Sequence, residues 1–499
     1  MWAKDFLAAH PAKKHIINDS WTPSGPFHVG SFRSLIIHDV LRRILNEEKK
    51  PVTYHYGFDD FDPLDGIPEG MEIRAEDMGK PLNIVPSPSG KFASFAEEFL
   101  EEAKSYHKKV GVEASYYSTS QFYISGEFNQ AIKCVLDHSA EIRSIYAEVS
   151  GSKKDPDWFP LQVVCPNCGK LGTTIVTGWD GKQVSFTCRP DLVAWAKGCG
   201  YQGKSTPFDG AAKMPWRVEW AAKWDYLGVT IESAGKDHSS RGGSYDVSGK
   251  ILSEVFKKSP PARLPHEYLL LGGKKISSSK VPGVKPDDLF QVMPEELLRF
   301  VMVRNRPELA LEFDIRGEML NRLYDEYDRC QAAYLEEGDQ DLSDYFKYTQ
   351  INPDKVDKVR KTRFSDVVNI LQLPGMSLEL ERPETSLRVP YARHWLENYA
   401  PEEIKFIVTP SLPDQAKKLS DEQKNYLSQA AEKINSRDGE KIQADLYTLS
   451  QSLGLPAAKA FQAIYLALIG KESGPRAGML IASQNQDFIK RRFLEASQA

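Results

Sequence analysis

Several groups of residues in this 499-residue chain have types and spacings suited to chemistry. The first is Pro23-Ser24-Gly25-Pro26-Phe27-His28-Val29-Gly30-Ser31, between a short strand signal and an amphipathic helical stretch. In that position backbone N–H groups and the positive end of a helix dipole face an incoming anion, and nucleotide phosphates are the usual guests. Gly30 lets a phosphate approach the main chain closely, and His28 can hydrogen-bond a phosphate oxygen without a full charge. A proline-ordered turn with a capping serine fits the same short pattern. The second group is Tyr268-Leu269-Leu270-Leu271 running into Gly272-Gly273-Lys274-Lys275-Ile276-Ser277-Ser278-Ser279-Lys280. Three lysines and three hydroxyls around two glycines suit a pyrophosphate whose charge grows in a transition state, so they would accelerate a step and not merely bind. The alternative is a solvated basic loop.

The third group is Cys165-Pro166-Asn167-Cys168, followed by Cys188 and Cys199. Four thiolates fit a closed, structural zinc site; the second pair is looser than C-x-x-C, and no histidine lies between Gly151 and Gly210 to replace it. Cys134 and Cys330 stand apart and read as buried or inert. A fourth pattern, Gly198-Cys199-Gly200-Tyr201-Gln202-Gly203-Lys204-Ser205, matches G-x-x-x-x-G-K-[ST], but it follows no apolar strand and runs into Thr206-Pro207, where a helix cannot comfortably begin. It reads as turns around Cys199.

The elements that must position these groups are legible in outline. A strand at 15–18, a helix carrying Ile37, Leu41, Ile44 and Leu45 on one face, and a strand at 52–56 form a β-α-β unit, hence parallel strands. Helical patterns follow at 91–110 and 128–147. Texture changes to Gly, Pro, Cys and Trp at 155–210, which marks an inserted module, and alternation of strands and helices resumes at 216–290. Beyond 294 the period is mainly helical, with turn-rich breaks at 339–354 and 373–384 and a helix through Phe461, Ile464, Tyr465 and Leu468 that stops at Gly470. Length favours several domains. With 64 basic and 69 acidic residues, net −5, the chain is no general polyanion sponge, so any RNA contact is local. There is no long apolar run for a bilayer, and the start lacks a basic flank before an apolar stretch; the expectation is a cytoplasmic protein without membrane contact.

The two distant stretches resemble the paired HIGH and KMSKS signatures of class I aminoacyl-tRNA synthetases, standing here as His28-Val29-Gly30-Ser31 and Lys275-Ile276-Ser277-Ser278-Ser279. Serine at the fourth position of the second is similar to class I lysyl-tRNA synthetases. So are Asp59-Asp60-Phe61-Asp62-Pro63, Trp216-Arg217-Val218-Glu219-Trp220 and Gly235-Lys236-Asp237-His238 leading to a Gly242-Gly243 helix start. The resemblance spans residues 15–290 well and the C-terminal end moderately. It implies a Rossmann-type α/β catalytic domain in two parts, 1–154 and 211–290, a zinc-binding insert at 155–210, a helical connecting domain at 291–365 and a helical anticodon-binding domain at 366–499. It also implies ATP with Mg²⁺, L-lysine and tRNA(Lys) as substrates and partners; the oligomeric state is left open, a monomer being slightly favoured. Expected catalytic residues are His28, Gly30, Ser31, Lys275, Ser277, Ser278, Ser279 and Lys280. Ser24, Gly25, Asp60, Glu219, Trp220, Asp237, His238 and Tyr268 are expected around ATP and lysine, whose two ammonium groups and aliphatic stem ask for carboxylates and an aromatic wall. For the anticodon, Arg360, Lys361, Arg363, Arg393, His394, Trp395 and Tyr399 supply basic and aromatic groups. A glutamyl enzyme would need a cationic pocket, which Asp59, Asp60 and Asp62 disfavour; a synthetase-like RNA-binding protein without charging activity is the other alternative.

Overall fold

The computed structural model describes residues 1–271, 274–275, 285–353, 355–356 and 358–499, by backbone alone at 271, 274–275 and 377–378. Two compact units emerge: Met1–Asp288 with Glu295–Phe313 and Asp339–Val356, and Leu289–Pro294 with Asp314–Gly338 and Asp357–Ala499.

The first unit is built on five parallel strands: β1 His15–Trp21, β2 Val52–Phe58, β3 Ser115–Ser118, β4 Ile231–Gly235 and β5 Ala262–His266. Their order is β5-β4-β1-β2-β3. The chain leaves β1 toward one side, through α1 (Phe32–Glu47) to β2 and α2 (Phe95–Lys109) to β3, then returns to the other side of β1 to lay down β4. That reversal opens a crevice between the carboxyl ends of β1 and β4, the usual ligand place of an open α/β sheet. Helix α1 is buried nearly all round, with Leu35, Ile36, Val40, Leu41 and Ile44 fully enclosed. Its one interior acid, Asp39, is met by Arg43 at 2.7 Å, Arg299 at 2.7 Å and Arg42 at 2.8 Å. Burial works to raise the Asp39 pKa, but the three guanidinium groups hold it below the ordinary carboxylate value.

Two further helices close the other face: α3 (Trp216–Leu227), ended by Gly228 at φ +69°, and α4 (Ser244–Glu254). The left-handed backbone at Gly228 is one that glycine adopts without steric cost. The strands expected at 15–18 and 52–56 are present and longer than their signals. The helix expected at 91–110 begins at Phe95, where Ser94 caps it by accepting from the Glu97 N–H at 3.1 Å. The stretch 128–147 is two helices, Asn129–Asp137 and Ser139–Ser150, because the chain bends at His138 and the Ser139 hydroxyl donates back to the carbonyls of Val135 and Leu136. The break expected at 339–354 contains the helix Gln340–Thr349, capped by the Asp339 side chain. Leu269–Leu271 is a strand outside the main sheet, paired with Leu311–Glu312 and with Lys274–Lys275.

Between α3 and the preceding helices, a three-stranded antiparallel sheet (Thr174–Trp179, Val184–Cys188, Gln202–Ser205) and a short pair, Gln162–Val163 with Ala212–Lys213, form the insert. Gln202–Ser205 being a strand, the G-x-x-x-x-G-K-S pattern lacks the helix a phosphate loop would open. Gly198 is packed so closely that a Cβ there would stand 2.3 Å from the Arg189 carbonyl oxygen.

Among its described residues the second unit forms only helices. Leu427, Ala463, Ile464, Leu480 and Phe493 lie in its main core, and a second nucleus stacks Tyr324 on Phe364 at 4.1 Å. Trp395 is fully buried and donates its indole N–H to the Ile315 carbonyl at 2.6 Å, so it is a core residue and not an exposed platform for a base. None of the described helices is long and apolar enough to cross a membrane.

Candidate active site

The crevice at the β1/β4 switch point is a cleft of about 540 Å³. One wall comes from the turn after β1. Here His28 precedes the short helical turn Val29–Ser31, which feeds α1. His28 and Gly30 line the cleft, with the Ser31 hydroxyl beside the His28 ring, 3.4 Å from Nε2 and 3.5 Å from Nδ1. Ser24 and Gly25 do not reach the lining: Ser24 is exposed, and Gly25 is covered by Pro68, whose Cγ would be 3.1 Å from an added Cβ. Arg33, one turn on, also lines the cleft and is tied down by the carbonyls of Met302, Arg306 and Pro307.

Tyr268 and Leu269, at the root of the lysine-serine stretch, line the same cleft. The backbone of Lys275 pairs with Leu270. Ser277, Ser278, Ser279 and Lys280 lie outside the described residues.

The opposite wall is aromatic and acidic. Trp216 and Trp220 stack at 4.8 Å on α3, His238 lies 4.8 Å from Trp216, and Asp237 joins the lining. Below them is Glu232 of β4, opposite Asn18 of β1 and 3% exposed. Its Oε1 accepts from the Trp220 indole at 2.8 Å; its Oε2 accepts from the Trp224 indole at 2.5 Å and the Asn18 amide at 3.1 Å. Burial pushes the Glu232 carboxyl up to about 7. On β1, Asp19 faces His38, 3.3 Å from Nδ1, while the Ser233 N–H donates to His38 Nε2 at 2.7 Å. A nitrogen that accepts carries no proton, so the His38 proton sits on Nδ1, toward Asp19. His266, half-buried and pushed down to about 3 chiefly by desolvation, stays neutral beside the Ser233 hydroxyl at 2.8 Å.

A buried charge network backs this wall. Lys223 lies 2.5 Å from Asp59 and 3.6 Å from Glu219, and Lys213 lies 2.5 Å from Glu219 and 2.9 Å from Asp62. Tyr123 donates to Glu219 at 2.6 Å. Burial alone would lower both lysines, but the facing carboxylates raise them above the ordinary value. Asp59 and Asp62 line the cleft, whereas Asp60 and Glu219 do not. Asp60 turns the other way and is satisfied by the Ser120 N–H at 2.8 Å and hydroxyl at 2.6 Å. Of the eight positions expected around ATP and lysine, the structure therefore brings Trp220, Asp237, His238 and Tyr268 to one cleft and leaves Ser24, Gly25, Asp60 and Glu219 outside its lining. Sequence reasoning missed Glu232, Asp19 and His266; the first ends the apolar, β-branched run Val229-Thr230-Ile231-Glu232, and an acid in a run of strand-forming residues was the available clue.

In the insert, the sulfurs of Cys165, Cys168, Cys188 and Cys199 lie within 4.8 Å of one another, with Cys165–Cys199 at 3.6 Å and Cys168–Cys188 at 3.7 Å. Four ligands about 2.3 Å from one centre in a tetrahedron have edges near ~3.8 Å, so the cluster has the dimensions to hold a metal ion.

The family model described as class I tRNA synthetases (K) matches residues 2–352. The chain is 33% identical, over an alignment of 537 positions, to a lysine–tRNA ligase of Methanosarcina barkeri strain Fusaro, covering 99% of this chain and 97% of that one. It is 32% identical to a lysine–tRNA ligase of Archaeoglobus fulgidus, covering 99% of each. Among solved structures, a glutamate tRNA ligase from Elizabethkingia meningosepticum aligns with 97% of this chain and 99% of its own at 13% identity and a TM-score of 0.45. With the switch-point cleft in place and the family match running through both of its walls, this chain belongs to the class I lysyl-type tRNA synthetases.

Proposed function

We propose that the protein activates L-lysine with ATP to lysyl-adenylate and transfers the lysyl group to the 3′ end of tRNA(Lys), in a cytoplasmic setting. The observation that carries this reading is the composition of one cleft: His28 and Gly30 on one wall, Tyr268 at the foot of the lysine-serine stretch, and an interior of carboxylates and indoles. Asp59 and Asp62 are paired with lysines, but the indole wall and the buried carboxylate of Glu232, held by neutral donors, suit a cationic amino acid better than glutamate.

In the first step the lysine carboxylate attacks the ATP α-phosphorus in line and pyrophosphate leaves. The carboxylate is already ionised, so no side-chain base is needed, and positioning with charge stabilisation carries the step. His28 donates to a phosphate oxygen, and the backbone at Gly30 allows close approach. Lys275, Ser277, Ser278, Ser279 and Lys280 have the chemistry to stabilise the departing pyrophosphate, with Mg²⁺ entering alongside ATP. Asp237 and His238, just past the end of β4, would serve the adenosine or ribose side. In the second step the terminal ribose hydroxyl of the tRNA attacks the acyl carbon and AMP leaves. Cys165, Cys168, Cys188 and Cys199 would hold a structural Zn²⁺ that closes the insert, and four protein ligands leave no position open for catalysis. Residues 366–499 are assigned to the anticodon.

The deciding experiment is ATP–pyrophosphate exchange with each of the twenty amino acids, followed by charging of total tRNA. Exchange with lysine and lysyl-tRNA formation are expected; exchange with glutamate but not lysine would end the assignment.

A further inference from the structure

The fold supplies a cation of its own to three of the cleft's carboxylates: Asp59 meets Lys223, Asp62 meets Lys213 and Glu267 meets Lys236 at 2.6 Å. Glu232 is different. Among the described residues its hydrogen-bond partners are two indole N–H groups and one amide, all neutral. Among the described residues, the ionisable groups that act most on it are Asp19 from β1, Tyr117 from β3 and Tyr245 from α4, and no ion pair joins it to a lysine or arginine. A buried carboxylate without a positive partner is costly unless it takes a proton or a cation arrives.

Three donors are fixed on this one group, and each aims it. A carboxylate has about four acceptor sites, so one remains here, on Oε1, whose protein partner Trp220 is itself part of the cleft wall. Trp220 and Trp224 lie 4.9 Å apart, and Tyr245 lies 5.3 Å and 4.9 Å from them, so the approach is walled by rings that favour an alkylammonium. Glu232 also lies three residues inside β4 from Gly235, roughly 10 Å along the strand from the crevice mouth. The reacting carboxylate of an amino acid must stay near the phosphates at the mouth, which leaves the deep position to the far end of its side chain.

We infer that Glu232 is the specificity-determining residue that receives the side-chain ammonium of the substrate, and that Trp224 and Asn18 are positioning residues that hold its carboxylate. The inference rests on the lysine reading above and names the group that enforces it. Substrate binding completes an ion pair that the fold leaves half made.

The test is ATP–pyrophosphate exchange on the full chain at saturating ATP with lysine varied, for wild type, E232Q and W224F, and with norleucine as the side chain lacking the ammonium. Thermal unfolding of each variant reports folding. Wild-type lysine KM should be flat above about pH 7 and rise toward tenfold per pH unit below it, since a protonated Glu232 offers no charge, while the ATP KM stays level. E232Q should raise the lysine KM by roughly thirtyfold or more, the low end for removing one partner of a buried charged pair, leave the ATP KM within about threefold, and lose the preference for lysine over norleucine. W224F, which removes one aiming donor, should raise the lysine KM by roughly five- to tenfold. A folded E232Q with unchanged lysine KM and unchanged discrimination would overturn the inference. If E232Q does not fold, a level wild-type lysine KM from about pH 5.5 to 8 together with a silent W224F would do the same. Wild-type exchange with a different amino acid would instead remove the substrate reading on which this one stands.

Discussion

Replacing Lys223 by methionine is the sharpest probe of the buried network behind the cleft. The ammonium is fully enclosed, 2.5 Å from Asp59 and 3.6 Å from Glu219, whose side chains are 3% and 0% exposed. At an effective dielectric of about 20, opposite unit charges at the shorter separation attract by roughly 7 kcal/mol, a gross term that desolvation of both ions largely offsets. What the substitution reveals is therefore not that attraction but a buried Asp59 carboxylate left with Thr119 at 2.7 Å, and the expected loss is about 3–5 kcal/mol. The pH dependence has a defined sign. In the wild type Asp59 is held below its ordinary pKa, mainly by Lys223 against the opposing effect of burial, so its stabilisation is present above the unfolded value and lost as pH falls through the folded one. Without Lys223 burial raises the Asp59 pKa instead, so the penalty is greatest at neutral pH and shrinks as pH falls through that raised value. Urea unfolding followed by tryptophan fluorescence measures both. Adding D59N to K223M should recover part of the loss, because a neutral amide needs no counter-charge. A K223M cost below about 1 kcal/mol, or a D59N that deepens the loss, would show that the pair is not coupled as described.

The cysteine cluster and the lysine-serine stretch give two further expectations. If the four cysteines hold the proposed zinc, Cys165→Ser should release it, detectable by metal analysis, and lower the unfolding temperature by several degrees, because a metal that closes a small insert contributes directly to its folding; wild-type protein that purifies without metal and keeps its unfolding temperature in chelator would contradict this. Lys275→Ala should slow adenylate formation by roughly a hundredfold or more in single-turnover measurements while changing lysine affinity little, as expected for a group acting on charge that develops in the transition state. Equal effects on rate and affinity would place Lys275 in ground-state binding.

What the sequence disclosed and what it withheld follow from one difference, that between local and non-local information. The β-α-β opening was legible because Ile37, Leu41, Ile44 and Leu45 repeat with a helical period between two strand signals, and period is a property of neighbours. The cysteine cluster was legible because two of its ligands are three residues apart, although only folding brings Cys188 to 3.7 Å from Cys168. In the Asp59-Asp60-Phe61-Asp62 run the acids could be counted but not aimed. Adjacent residues there diverge, so Asp59 and Asp62 line the cleft with lysine partners while Asp60 bonds Ser120, and no spacing rule distinguishes them. Glu219 looked like a substrate carboxylate beside Trp220, yet on one helix consecutive residues point about 100° apart: Trp220 reaches the cleft and Glu219 turns inward to Tyr123 and Lys213. Glu232 was the hardest to see, because its meaning depends on two indoles eight and twelve positions away and an amide 214 positions away. A carboxylate within a strand signal is ordinarily a reason to doubt that the strand is interior. Here it marks the place where the interior is built to admit a charge from outside.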